Sequence, residues 1–299
     1  MPTVSLTSFP TSRYLIVNGD DFGLSAQVNA GILYAHRNGI LTNTSLMVAA
    51  PAWEEAVEIA RSTASLGVGL HLTLLQGKAA LPPRLLPSLT DSAGNFSHNP
   101  TLSGLRYFFS KRARNEVRAE CRAQIERFLE TGLPLSHVDG HVNIHMHPVV
   151  LDTLLGLSEE YRIPAIRLTR EDVVCSLGLD SSQALRKRWE AFIFSNLARG
   201  AEKKLNQAGI RYPDYLYGLH QSGGLDERYL RGLLPQLRYG VTELYCHPSF
   251  LPCPEVRRWT PTYRRDAELD ALTSAAVRDA IATQAIQLVN YHDLSTLET

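Results

Sequence analysis

Short apolar runs alternate along this chain with longer segments whose apolar residues recur every three to four positions, the signatures of buried strands and amphipathic helices. Residues 14–17 form the first run and end in Asn18-Gly19-Asp20-Asp21, a strand feeding a loop. A helix is predicted next, because Ser25 can cap it, Val28, Ile32 and Ala35 share one face, and Gly39 can close it. A strand over 41–48, a helix over 53–61 and a strand over 67–74 bearing His71 extend the rhythm to β-α-β-α-β. Residues 76–110 break it. Rich in Pro, Gly, Ser and Asn, they read as an excursion over the mouth of a barrel, lid-like out to about residue 114. A helix over 115–130, stopped by Thr131-Gly132, resumes the pattern, followed by a strand over 135–139 and a helix from Pro148 to Tyr161. Further strands are expected at 165–168, 242–246 and 286–291, with helices over 180–208 and 266–283. Such alternation predicts an α/β fold with a parallel sheet, open or closed into a barrel, and working residues on the loops that leave the strands.

Composition narrows the setting. A chain of 299 residues with 44% apolar content can bury a large core, and the expectation is one domain over 1–299 with a flexible polar tail at 1–12. Thirty basic residues balance thirty acidic ones, so no overall field draws the protein to nucleic acid or to an anionic membrane. No run reaches the roughly 18 to 20 apolar residues that a membrane span needs, and no signal-peptide pattern opens the chain, which reads as cytoplasmic. Cys121, Cys175, Cys246 and Cys253 form no CxxC pair, as suits a reducing compartment. Cys246 and Cys253 flank His247, but the favoured reading is two ordinary buried thiols.

Four strand ends carry the chemistry: Asp20-Asp21, His71, the group Asp139, His141 and His145, and His247. Any one of them alone reads most simply as a turn or cap residue. Parallel strands bring such ends to one face, and four sites of complementary chemistry there point to function. Side chains on adjacent residues diverge, so Asp20 and Asp21 are expected to divide the work, one binding a metal and the other holding a water. Asp-His-His suits a catalytic Zn²⁺ or similar ion, since three protein ligands leave positions open. If the strand ends at Gly140, His141 lies on the loop and His145 approaches from the side; if it persists, alternate histidines share a face. Which imidazole is ligated stays open at this point.

The segments LIVNGDDFGLS (15–25), GLHLTL (69–74), HVDGHVNIH (137–145) and ELYCHPSF (243–250) resemble the YdjC-like carbohydrate deacetylases, in order across nearly the whole chain. The resemblance implies a distorted TIM-like barrel and a metal-dependent hydrolase acting on an N-acetyl group of a glucosamine unit. It also implies roles: Asp21, His71 and His141 as metal ligands, Asp20 as general base and His247 as acid. The metal would be one divalent ion, Zn²⁺ favoured over Mg²⁺. Asp139, His145 and Arg167 are expected in support, Arg167, at another strand end, either orienting Asp20 or contacting the sugar, with a structural salt bridge as the equal alternative. The stretches 47–57 and 105–110 look most similar to the hopanoid-biosynthesis-associated HpnK branch, which implies an N-acetylglucosaminyl hopanoid lipid as substrate, with a chitooligosaccharide as the alternative. The chain departs from the family at Val142 and Asn143, where further histidines are common. Aromatics meet a basic run at 105–114, a patch suited to a membrane surface or an apolar aglycone, or else a lid packed on its own barrel. Two rivals remain: phosphoester hydrolysis, which usually wants two metals and a cationic phosphate grip, and non-catalytic sugar or lipid binding.

Overall fold

Strand β1 (Arg13–Phe22) is buried over its last eight residues, because it is covered on both faces. It lies in a computed structural model that describes residues 12–257 and 259–297; the tail expected at 1–12 falls, except for Ser12, outside the described residues. Helix α1 (Ala26–Asn38) starts where expected, with the Ser25 hydroxyl accepting the Val28 amide at 3.2 Å. Gly39 closes α1, and only glycine fits there: an added Cβ would stand 2.3 Å from the Leu272 carbonyl oxygen. The order continues with β2 (Asn43–Leu46), α2 (Trp53–Arg61) and β3 (Gly67–Leu72), then α3 (Pro100–Phe109), α4 (Lys111–Glu130), β4 (Val138–Gly140) and α5 (Pro148–Tyr161). It runs on through α6 (Val173–Leu179), α7 (Ala184–Ala208), β5 (Tyr215–Tyr217), α8 (Glu227–Leu233) and β6 (Gly240–Cys246). Helices α9 (Pro254–Arg257), α10 (Arg265–Thr273) and α11 (Ala275–Thr283) and strand β7 (Ile286–Leu288) complete it.

All strand pairings are parallel, in the order β4-β3-β2-β1-β6-β5, with β7 against the start of β1. Isolated parallel bridges Val138↔Ile166 and Ala165↔Arg211 carry the curl onward from β4. The result is a curled half-barrel, as a distorted TIM-like barrel requires. Period-two alternation sorts its faces. Leu15, Val17, Leu244 and Cys246 pack outward into the main core with the helices, whereas Ile16, Ala165, Val241 and Tyr291 fill the concave side. One pleat further along that concave side the residues turn polar: Asn18, then Asp20, on β1 and Glu243 on β6. The sheet thus has an apolar floor and a buried polar layer at the strands' C-terminal ends.

Several expected elements differ. The helix expected over 266–283 is two helices, α10 and α11, because Ser274 is extended and its hydroxyl caps Ala276 and Val277. The strand expected over 165–168 makes only isolated bridges, and β5 and α8 had no prominent periodic signal. Within the 76–110 excursion, α3 forms from Pro100. The residues before it are tied to α4 by acidic side chains: Glu120 accepts the amides of Ala80 (2.7 Å) and Leu81 (3.0 Å), and Glu116 accepts the Ser88 amide and hydroxyl. No helix among the described residues is long and apolar enough to cross a membrane.

Candidate active site

The polar layer is built by register. His71 on β3 stands beside Asp139 on β4, and Asn18 on β1 beside Asn43 on β2. The His71 Nδ1 bonds an Asp139 oxygen at 2.8 Å, which turns its Nε2 toward Asp21, 3.5 Å away. Asp21 itself has a left-handed backbone, φ 69°, unusual for a non-glycine residue and a bend that lets its carboxylate part from that of Asp20. Asp21 Oδ1 lies 3.0 Å from His141 Nδ1, and Oδ2 accepts the Arg265 Nη2 at 2.8 Å. Ligand atoms of Asp21, His71 and His141 all fall within 4.8 Å of one another, and His141 Nε2 is buried without a partner. A buried carboxylate, two imidazoles and an unsatisfied ring nitrogen fit a metal ion. The overlapping group Asp20, His71 and Asp139 fits less well, since its atoms are already spent on Arg167 and on one another.

Electrostatics match this geometry. Burial alone would raise Asp21, but Arg265 and then His141 more than reverse it and hold the carboxyl well below the usual range. Burial would likewise lower His71; the Asp139 carboxylate reverses that and lifts it to about 10. The Asp139 carboxylate fixes the orientation of the His71 ring and leaves its Nε2 facing Asp21, the arrangement that suits an imidazole to a metal.

Asp20 points elsewhere. Arg167 grips it through Nη1 at 2.9 Å and Nη2 at 2.8 Å, and Asn18 Nδ2 donates to it at 2.7 Å. The same guanidinium, wholly buried, also pairs with Asp139 at 2.8 Å, bonds Glu243 through Nε at 3.0 Å, and lies over the Tyr245 ring. Arg167 therefore clamps the Asp20 carboxylate and is not itself among the residues that share Asp20's cavity. His145 lies outside that lining too, donating from Nε2 to the Arg167 carbonyl at 3.1 Å, and burial pushes it down to about 3. The strand does end at Gly140, and Val142 and Asn143 adopt left-handed backbone, so His141 swings into the cluster while His145 does not. Asn143 instead ties the loop down, accepting the Thr169 hydroxyl at 2.9 Å.

Asp20, Asp21, His71, His141 and His247 all line one cavity of about 340 Å³. Residues of α7 and of the loop after β5 complete part of its lining. A sequence profile described as YdjC-like protein matches residues 14–283, a span that holds every one of these side chains. The chain belongs to the YdjC-like family. It is 33% identical over 281 residues to a protein of Brevibacillus brevis named carbohydrate deacetylase, covering 94% of this chain and 99% of that one. A Geobacillus stearothermophilus protein of the same name is 32% identical, with 95% and 99% covered. A crystal structure from Enterococcus faecalis, of a protein named for a proposed role in cellobiose-phosphate cleavage, superposes with a TM-score of 0.71 at 30% identity, covering 95% and 99%.

In this YdjC-like chain His247 packs edge-on against Tyr245 and Tyr263, and its buried Nδ1 has no bonded partner, the nearest carboxylate being Glu268 at 3.9 Å. Burial pushes His247 down to about 4, so its ring is neutral near pH 7. Cys246 and Cys253 are free buried thiols on Asn18 and Ser25, apart from the ligand group. Reading the residues alone did not find Arg265, Glu243 or Asn18. An acid inside the apolar strand of β6 was a usable signal for Glu243; Arg265, beside Arg264 at a helix start, carried none.

Proposed function

We propose that this chain is a metal-dependent hydrolase that removes the acetyl group from an N-acetylglucosamine unit, the residues 1–299 acting as one deacetylase domain. The observation that carries the reading is the Asp21-His71-His141 group with a second, arginine-held carboxylate, Asp20, on the same cavity. Relatives named carbohydrate deacetylase at about a third identity, matched over 94% and 95% of this chain, support the substrate class.

Asp21, His71 and His141 would hold the ion, Zn²⁺ by the nitrogen-rich donor set, with Mg²⁺ the alternative. A bound divalent ion supplies Lewis-acid polarisation of a carbonyl and acidifies water. The protein's own groups do the rest. Asp20, fixed by Arg167, takes a proton from the attacking water; the oxygen adds to the acetyl carbon, the C–N bond breaks, and acetate and a free amine leave. His247 passes a proton to the departing nitrogen, which is otherwise too basic to leave. Because burial keeps His247 neutral at rest, the proton it passes on is the one Asp20 took from the water, handed over during turnover, so that Asp20 and His247 both return to their resting states.

The finer substrate we propose is an N-acetylglucosaminyl hopanoid lipid, with a chitooligosaccharide second. Exposed Leu105, Phe108 and Phe109 beside Lys111, Arg112 and Arg114 support peripheral contact with a membrane, while Tyr107 anchors the same helix by donating to the Leu74 carbonyl at 2.7 Å. Gln76, at the start of the 76–114 excursion, lines the catalytic cavity, as a lid residue would. Incubating metal-loaded protein with each glycan and weighing the products tests the reading. Loss of an acetyl group from one or both is expected; intact glycans with stoichiometric metal bound would instead favour a non-catalytic binding role.

A further inference from the structure

Part of the cavity lining lies outside the ligand group and is chemically distinct from it. Two charged side chains of α7, Arg186 and Glu190, line it together with Phe194 and with Leu219 of the loop after β5. Glu190 is held at both oxygens. Oε1 accepts Arg186 Nη1 at 2.6 Å, and Oε2 lies 3.3 Å from His220 Nδ1. His220 is wholly buried, its amide donating to Glu171 Oε2 at 3.0 Å and its Nε2 without a partner. Arg186 is fixed in turn by Gln183 at 2.6 Å.

An arginine and a glutamate four residues apart on a helix are usually a solvated pair worth little. Such a pair does not need a buried imidazole from another element behind it. Here the Glu190 side chain stays one-quarter exposed and lines the cavity. A carboxylate has about four lone-pair sites and Glu190 uses two, while the Arg186 fork keeps N–H donors to spare. Beside them Phe194 packs with Leu219 and Tyr245 as an apolar surface. An apolar face with a rigid acceptor and donor at its edge matches a pyranose ring, whose faces are C–H and whose rim is hydroxyl. None of these residues belongs to the metal-fitting group.

We propose that Glu190, with Arg186, reads the ring hydroxyls of the amino sugar, and that His220 is the positioning residue that holds it. The assignment deepens the deacetylase reading and rests on it for the sugar's acetylated nitrogen, though not for sugar binding itself. Because this contact is the same before and during reaction, its loss falls on KM.

Calorimetric titration of N,N′-diacetylchitobiose into the full metal-loaded chain and its Glu190→Gln variant, run beside acetate release, tests the proposal. Charge-assisted hydrogen bonds of this kind predict a Kd and KM weakened roughly tenfold to a hundredfold, with kcat within about threefold. The His220→Gln variant is expected to move KM the same way by a smaller factor, without shifting the pH profile. An affinity and KM within about twofold of the native protein, or a loss confined to kcat, overturns the proposal, as does native protein that binds no sugar. Native protein that binds the sugar through Glu190 but releases no acetate would sink the deacetylase reading and leave this one standing.

Discussion

Replacing Arg167 by methionine should leave the centre of the polar layer with buried carboxylates that have lost their shared cation. The guanidinium is wholly buried and pairs with Asp20, Asp139 and Glu243, each within 3.0 Å. Methionine fills much of the volume but leaves three buried carboxylates facing one another. Breaking a buried pair by removing one partner costs about 3–5 kcal/mol. The loss does not triple, because a stranded carboxyl can take up a proton, each unit of pKa being worth about 1.36 kcal/mol. That escape gives the prediction its sign. In the native protein Arg167, ahead of His71, overcomes the effect of burial and holds Asp139 well below the usual range, so its stabilisation is present above the unfolded pKa and is lost only as pH falls through that depressed value. Without Arg167, burial acts unopposed by its largest counterweight and the folded pKa of Asp139 rises. A raised pKa gives stability that is present at low pH and lost as pH climbs through it. Urea unfolding of metal-free protein should therefore show a deficit of about 3–5 kcal/mol near pH 8 that shrinks by roughly 1–3 kcal/mol near pH 5. A deficit under about 1 kcal/mol, or one equal at both pH values, would refute the reasoning.

Asp20→Asn should keep stoichiometric metal while acetate release falls by roughly two orders of magnitude or more; a near-native rate removes Asp20 from the role of base. Asp139→Asn leaves His71 without its orienting carboxylate, and competition with a chromophoric chelator should find metal affinity lower by about 10- to 100-fold. Ligation needs a neutral imidazole, and His71 is raised to about 10, so apparent metal affinity should climb with pH toward that value, with protons released on binding. Affinity that is flat across neutral and mildly alkaline pH contradicts it. In metal-free protein the same raised pKa means that the stabilisation from charged His71 is full below the unfolded value and drains away as pH rises through about 10. Ser274→Ala should cost about 1 kcal/mol in thermal or urea unfolding, since the hydroxyl caps α11; no change would mean the break between α10 and α11 is held by other contacts.

Most of the architecture was legible because its strands are short, apolar and set off by turn residues. Helices α1, α2 and α5 fall where their apolar spacing, caps and Pro148 put them. The failures share a cause in that local pattern does not record tertiary contacts. The apolar spacing of 266–283 does not mark Ser274 as a break; its capping hydroxyl starts α11, and the packing of α10 on α1 and of α11 on α8 holds the two helices apart in direction. The strand at β5 is three residues long and exists because β6 offers it a partner. Residues 165–166 have β-like composition yet sit where the barrel curls away, and the ladder thins to single bridges.

The candidate site divides along the same line. Residues that meet at strand ends could be read from the sequence, since a parallel sheet brings all such ends to one face whatever the details of packing; Asp20, Asp21, His71, His141 and His247 line one cavity for that reason. Residues that reach the site from elsewhere could not. Arg265 comes from α10, Glu190 from α7 and His220 from the loop after β5, and nothing in their local sequence marks their direction. The choice between His141 and His145 was also beyond periodicity, because it turns on two left-handed residues, Val142 and Asn143. Neither is glycine, so the strain of that turn is held in place by its surroundings, the Asn143 bonds to Thr169 and Tyr245 among them. Gly140 and His141 are adjacent, so His141 leaves the end of β4 directly, and the turn at Val142 and Asn143 carries His145 back to the Arg167 carbonyl. The conformation of that loop, more than the number of histidines in it, decides which of them can serve the site.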